Sequence, residues 1–313
     1  MIVFSLPMRT RFRGVTVREG VLLRGAAGWG EFSPFVEYDD RECVPWLRAA
    51  CEAAEEGWPP PVRDRVPVNV TVPAVGPEEA AAVVAYGAGC RTAKVKVAEP
   101  GQSEADDVAR VEAVAAALGP GGRVRVDANG AWDVDTAVRR VRLLDRAAGG
   151  LEYVEQPCRT VEELAAVRRR VDVPVAADES IRRAEDPYRV AALGAADVAV
   201  LKVQPLGGVR ACLEVAERIG LPVVVSSALE TSVGLAAGVA LAAALPDLPH
   251  ACGLATAQLL AADVTADPLL PVDGALPVRR VAPDPALLPP APSDVAERWR
   301  DRRDRVAALG SPA

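Results

Sequence analysis

Three observations predict an α/β protein built around a closed barrel of parallel strands. From about Val66 onward, short β-branched runs alternate with alanine-rich stretches that carry charge on one face. The runs are almost continuously apolar, as strands covered by helices are. Eight of them precede residue 255, and no G-x-G-x-x-G or G-x-x-x-x-G-K-[ST] turn follows the first, so a doubly wound sheet is the weaker alternative.

The first 65 residues read as a small α+β domain, with antiparallel strands around Phe12 to Gly30, a helical piece from Arg41 to Glu56 and a Pro-rich joint, Trp58 to Pro67. The barrel strands are predicted over Val68–Val72, Thr92–Val97, Val124–Asn129, Leu151–Gln156, Val175–Glu179, Val198–Gln204, Val223–Ala228 and His250–Leu254. Helical patterning fills the intervals: Glu78–Tyr86, Ser103–Leu118, Asp133–Ala147, Val161–Arg170, Pro187–Leu193, Val209–Ile219 and Thr231–Ala244. After about Leu260 the chain is Pro-rich and irregular until a charged helical stretch, Ser293 to Leu309, which could pack on either domain.

Composition removes several classes of function. With 313 residues, 50% hydrophobic and a formal charge of -7, the chain can bury a large core and has no general attraction for nucleic acid or an anionic membrane. The longest apolar run, Val233 to Leu245, is shorter than the roughly 18 residues a span needs, and Met1 to Thr10 lacks the basic start and apolar core of a signal segment, so a cytoplasmic protein is expected. Six scattered cysteines without a C-x-x-C pair suggest neither a zinc ribbon nor a disulfide framework and are expected to be reduced, mostly buried thiols. One histidine, His250, cannot furnish a Ser-His-Asp triad together with a multi-histidine metal site or an H-E-x-x-H motif; it reads as structural.

The basic residues point to chemistry. Of 36, only Lys94, Lys96 and Lys202 are lysines. Guanidinium stays protonated, whereas an ammonium can be driven toward neutrality and then accept a proton. The three lysines also fall at strand ends, where a βα barrel places its chemistry. Successive runs end Lys94-Val95-Lys96, Asp127-Ala128-Asn129, Glu155-Gln156-Pro157, Asp178-Glu179-Ser180 and Lys202, with steps of 31, 28, 23 and 24 residues from Lys96 to Asp127, Glu155, Asp178 and Lys202. Each step is about one βα unit, so the five groups should ring one mouth. Lys94 and Lys96 share a strand face, and each is expected to depress the other's proton affinity. Asp127, Glu155 and Asp178 make a hard oxygen site suited to Mg²⁺ or Mn²⁺. Lysines flanking such a metal suit removal of a proton next to a carboxylate, with Lys96 as base.

The T-x-K-x-K strand, Thr92 to Lys96, together with the D-A-N, E-Q-P and D-E-S settings and the later Lys202, resembles the enolase superfamily in its muconate-lactonising branch. Lysine bases working with Mg²⁺ are established chemistry there. The resemblance implies a (β/α)7β TIM-like barrel over residues 66–264 and an α+β capping domain, residues 1–65 completed by residues of about 265–313. Within the branch the compact cap, the Ser226–Thr231 strand end and the Gly253–Asp263 run are most similar to the o-succinylbenzoate synthase family in its short actinobacterial form.

That likeness implies a lyase of menaquinone biosynthesis. Its substrate would be a small carboxylate, 2-succinyl-6-hydroxy-2,4-cyclohexadiene-1-carboxylate. Lys96 would remove the α-proton and then assist departure of the hydroxyl from the same face, Lys202 would stabilise the enolate from across the ring, and Lys94 would hold Lys96 reactive. Asn129 and Glu179 would support these groups. Ser226, Ser227 and the backbone around Gly253 and Leu254 would hold the succinyl tail, with a capping-loop residue between Arg9 and Gly14.

Rival readings are an N-succinylamino acid racemase, which needs two opposed bases such as Lys96 and Lys202, and a muconate cycloisomerase. Dipeptide epimerases resemble the chain less, because their eighth strand carries a D-x-D clamp where this one reads Ala251-Cys252-Gly253-Leu254. A non-catalytic anion-binding barrel is a fourth reading, opposed by the retained lysines, since arginine would serve for binding alone. No apolar stripe in the sequence specifies an oligomeric state.

Overall fold

The computed structural model describes residues 1–12, 14–182 and 186–310. Three antiparallel strands open the chain: β1 (Ile2–Phe12), β2 (Val15–Gly25) and β3 (Gly28–Phe32). The sheet buries apolar side chains on both faces: the pair Phe4↔Gly20 turns Phe4 toward the barrel's core, and the pair Val21↔Phe32, on the opposite face, packs into a second cluster with Trp46 and Trp299. β1 begins ten residues before the predicted sheet, because its inward positions alternate with Ser5, Pro7 and Arg9 and dilute the apolar signal. Helix α1 (Val44–Cys51) packs on β3 and runs into a π-turn, Glu52–Glu56.

The barrel follows a short strand, β4 (Arg65–Pro67). Its seven parallel strands are β5 (Val70–Val72), β6 (Thr92–Lys96), β7 (Arg123–Asp127), β8 (Leu151–Glu155), β9 (Val175–Ala177), β10 (Val198–Leu201) and β11 (Val223–Val225), hydrogen-bonded in sequence order. The covering helices are α2 (Pro77–Ala85), α3 (Glu104–Leu118), α4 (Val134–Ala148), α5 (Val161–Arg168), α6 (Asp186–Ala192), the short α7 (Val203–Leu206), α8 (Val209–Ile219) and α9 (Ser232–Ala244). Caps explain several boundaries. Ser103 with Asp106 and Thr160 with Glu163 form capping boxes, and Gly149 and Gly220 end α4 and α8 in the left-handed conformation.

Two predicted strands are corrected. His250–Leu254 is no strand but a short connector: Cys252 bridges to Val68 and Gly253 to Ser226, so this segment closes the barrel between β5 and β11. Two residues bridging two edges suffice for closure without a ladder. The run Val198–Gln204 ends as a strand at Leu201, because Val203–Leu206 coils into α7 ahead of Gly207 and Gly208, both at positive φ.

The apolar run Val233–Leu245 is buried almost throughout as α9. Among the described residues no helix is long and apolar enough to cross a membrane. Beyond it, β12 (Ala275–Pro277) pairs with β4, and Leu269 and Leu276 enter the main core. The last helix, α10 (Ser293–Gly310), lies on the N-terminal sheet, with Trp299 edge-on to Phe32 at 6.1 Å between ring centroids.

The floor of the barrel is polar and sealed. Arg125, fully buried, donates to Glu152 at 2.5 Å, to the Ala251 carbonyl at 2.7 Å and to Asn69 at 3.2 Å, and lies over the Tyr153 ring. His250 sits on Glu152 through Nδ1 at 3.1 Å, the structural role expected of it. The six cysteines are free thiols, five of them buried.

N-terminal sheet and barrel share one core, since Phe4, Leu6, Leu22 and Ala49 pack into the barrel's cluster. Two acids pin them further. Glu31 accepts from the backbone N–H groups of Thr231 and Gly234 at the start of α9, and Glu52 accepts from those of Val209 and Arg210 at the start of α8. Each carboxylate meets the unpaired N–H groups and positive end of a helix.

Gly30 allows β3 to approach α1 closely, because a Cβ there would collide with the Ala50 carbonyl. Gly30→Ala should therefore cost about 1–3 kcal/mol. It should lower the thermal midpoint in calorimetry, while Gly76→Ser, where nothing lies within 4 Å, should not.

Candidate active site at the barrel mouth

Parallel pairing delivers the charged residues to one rim. Lys96 pairs in register with Asp127, and Asp127 with Glu155. Glu155 pairs with Ala176, two residues before Asp178, and Lys202 directly follows β10. Alternation along β6 puts Lys94 and Lys96 on the same face as Arg125 and Asp127 of β7, which is the interior. Lys94, Lys96, Asp127, Asp178, Lys202, Ser226, Ser227 and Gly253 all line one cavity. Glu155 lies one ammonium away, bonded to Lys94.

Every buried charge here meets an opposite one. Lys94 Nζ bridges Glu155 at 2.8 Å and Asp127 at 3.3 Å. Lys96 Nζ donates to Asp127 at 2.5 Å and to Asn129 Oδ1 at 2.7 Å, and Lys202 Nζ lies 2.5 Å from Asp178. Asn129 then donates to Glu179 at 3.1 Å, and Arg182 joins Glu179 to Asp178 at 2.8 and 3.2 Å. The ring of contacts thus runs from Lys96 around the rim to Lys202.

These surroundings separate the lysines and correct one expectation. Burial works to lower Lys94, but Glu155, Asp127 and Asp178 outweigh it and hold Lys94 above its ordinary value, so proximity to Lys96 does not depress it. Lys202 moves the other way, lowered to about 8 by burial and by Arg182 against the pull of Asp178. Burial, with Asp127 and Asp178 close by, pushes Glu155 up to about 7 despite Lys94. Asp127 lies below the ordinary carboxylate range because Lys96 and Lys94 overcome its burial.

The cavity volume is about 30 Å³, the room of roughly one water molecule. Phe12 and Phe35 from the N-terminal segment form part of its wall, and Lys96 Nζ lies 5.5 Å from the Phe12 ring centroid. Ser227 shares a 2.6 Å hydroxyl contact with Thr256. Leu254 does not line the cavity; it is buried, close to where a Cβ on Gly238 of α9 would stand. Of the capping loop Arg9 to Gly14, Arg13 lies outside the described residues.

The donor set fits a hard divalent cation: three carboxylates, with neither histidine nor thiolate beside them. They do not form a ready coordination sphere. Among the described residues no three acidic, histidine or cysteine side chains are drawn together in that way, since the ammonium groups occupy the carboxylate oxygens. A cation entering would displace lysine from oxygen and take its place as the counter-charge of the buried carboxylates.

Several positioning groups escaped the sequence reading. Gln156 accepts from the N–H groups of Asp178 and Ser180 and donates to Ser180 Oγ at 2.9 Å, suturing β8 to the Asp178 turn; the E-Q-P motif contained it without showing this task. Arg182 is one helical turn beyond Asp178, a spacing that would have flagged it. Arg18 gave no local signal. From β2 it reaches the carbonyls of Leu229 and Ala228 at 3.0 and 3.1 Å, fixing the strand end that carries Ser226 and Ser227, where Leu229 has φ 63°.

Arg18→Met should cost about 3–5 kcal/mol, because Glu31 and Glu230 would lose their buried cation. Chemical denaturation would register this as a lower midpoint, and an unchanged midpoint would contradict the pinning role.

Comparison with known proteins identifies the family. The family described as enolase C-terminal domain-like matches residues 77–284, and that described as enolase N-terminal domain-like matches residues 3–54. The o-succinylbenzoate synthase of Thermobifida fusca is 77% identical over 278 residues, 89% of this chain and 87% of that protein. Those of Mycolicibacterium smegmatis and Mycobacterium tuberculosis are 59% and 57% identical, covering 96% and 100% of this chain and 92% and 95% of theirs. Among solved structures, the L-Ala-D/L-Glu epimerase from Bacillus subtilis superposes with TM-score 0.77 at 24% identity, covering 90% of this chain and 98% of that one. Muconate cycloisomerase from Pseudomonas fluorescens gives 0.74 at 25% identity, over 90% and 92% of the two chains. By domain match, by fold and by close curated relatives, the chain belongs to the enolase superfamily, in its o-succinylbenzoate synthase family.

Proposed function

We propose that the chain catalyses the Mg²⁺-dependent syn dehydration of 2-succinyl-6-hydroxy-2,4-cyclohexadiene-1-carboxylate to o-succinylbenzoate, a carbon-oxygen lyase reaction of menaquinone biosynthesis carried out in the cytoplasm. The observation that carries this reading is the convergence of Lys96, Lys202, Asp127 and Asp178 on one cavity that Ser226, Ser227 and Gly253 also line, with Glu155 bonded to Lys94 behind it. Relatives at 57–77% identity bear the name of that activity.

Asp127, Glu155 and Asp178 would hold the cation. When bound, Mg²⁺, or Mn²⁺ in its place, supplies positive charge to the substrate carboxylate so that its α-proton becomes acidic. Lys96, released from Asp127 and neutral, takes that proton on Nζ. The electron pair left on carbon forms the ring double bond as the C6 hydroxyl leaves, and Lys96, now an ammonium, returns the proton so that water departs. One base acting on one face gives the syn outcome. Lys202, from the opposite flank, offsets the developing negative charge. Lys94 holds Glu155 and Asp127 in place and sets the field around Lys96, while Asn129 and Glu179 orient Lys96 and Arg182. Ser226, Ser227 and the backbone at Gly253 would receive the succinyl tail. A cavity this small requires that the lysines retract or the Phe12 side of the wall yield on substrate entry.

Absorbance should report rapid conversion of the diene to the aromatic product with Mg²⁺ present, and chelation should abolish it. Lys96→Ala should lower kcat by about 10²–10⁴-fold. Turnover that survives Lys96→Ala would rule out this base. Inert, folded, metal-loaded protein would reject the substrate and direct attention to N-succinyl amino acids, with deuterium exchange at the α-carbon as readout.

Metal binding has an independent signature. Mg²⁺ at about 100 times its Kd should stabilise the fold by about 2.7 kcal/mol. Calorimetry should show the rise in the thermal midpoint for the native chain and its loss in Asp127→Asn.

A further inference from the structure

We propose that the groove between the N-terminal domain and the barrel loops after β8 and β9 is a second binding site, for a small organic polyanion carrying two or more carboxylate or phosphate groups. The groove has a volume of about 880 Å³, within the range of small-molecule sites, and shares no lining residue with the catalytic cavity.

Five arginines face it: Arg41 and Arg48 from the segment leading into and along α1, and Arg159, Arg182 and Arg189 from the barrel. Three glutamates share the surface, Glu42, Glu162 and Glu179. Arg182 is committed to Asp178 and Glu179, and Arg189 to Glu162. Arg41, Arg48 and Arg159 are exposed, and among the described residues none of them has a carboxylate partner. Exposed arginines elsewhere show the alternative, as in Arg168 with Asp197 and Arg305 with Asp40, both at 2.7 Å.

Opposed guanidinium groups on a concave surface suit a ligand with several anionic groups, because each planar fork can take a carboxylate or phosphate in two parallel hydrogen bonds. One floor is apolar, formed by Pro45, Trp46, Pro205 and Leu206, which suits an organic body rather than a bare ion. A chain of net charge -7 offers no diffuse attraction for anions, so the affinity must be local to these arginines.

Calorimetric titration of the metal-free protein tests the site, with benzene-1,3,5-tricarboxylate and inorganic pyrophosphate as separate probes so that carboxylate and phosphate sources are told apart. At least one probe should bind with Kd below about 1 mM. Arg41→Glu combined with Arg48→Glu should weaken it about tenfold or more, and the milder Arg41→Gln with Arg48→Gln should do so in part. Both variants should keep their turnover of the diene, which certifies the fold. Lys96→Ala should leave the binding unchanged. Absence of binding by both probes, or binding that persists in the arginine variants and disappears in Lys96→Ala, would overturn the proposal, the latter by placing the anion in the catalytic cavity.

Discussion

Neutralisation of buried charge at the barrel mouth is the constraint on which the rest depends. Lys94, Lys96, Lys202 and Arg182 stand against Asp127, Glu155, Asp178 and Glu179, in contacts of 2.5–3.4 Å. An unpaired ion in such a place costs several kcal/mol, so the barrel tolerates this rim only with every strand in register. A slip of one residue in β6 would turn both lysines out of the interior and leave Asp127 and Glu155 facing each other. The arrangement that makes the site chemically able also makes it structurally demanding.

The same balance gives the lysines different characters. Lys94 sits among three carboxylates and is held charged, whereas Lys202 shares its carboxylate with Arg182 and is drawn down to about 8. Arginine could fill none of these positions with the same latitude, because its proton is not exchanged at working pH. That is the physical sense of three lysines in a chain otherwise furnished with arginine.

The N-terminal domain is anchored as well as docked. Glu31 and Glu52 occupy the N-termini of α9 and α8, and Arg18 grips the strand end beside Ser226. Placement of the loop after β11 therefore depends on a sheet whose strands are about 200 residues away in sequence. Freedom for substrate entry must come from the smaller elements at the cavity wall, such as Phe12, rather than from separation of the N-terminal sheet and the barrel, which share one core.

Much of the fold was legible because it is local. Almost continuously apolar runs, helices with their own capping residues and steps of one βα unit are written in short stretches, and the chemistry at strand ends follows once the strands are parallel. Lys96, Asp127, Glu155, Asp178 and Lys202 were found in this way. The closing strand was misread because Cys252 and Gly253 complete the barrel by two bridges, with no ladder to leave a pattern. Arg18, Gln156 and Glu31 were invisible because their partners are set by closure and docking. The sequence by itself determined which residues would meet at the mouth, since strand order and alternation dictate that. Only the tertiary structure decided which cation lies on which carboxylate, how far each proton affinity moves and how the cap is pinned, because those depend on distances between groups that the chain brings together only when folded.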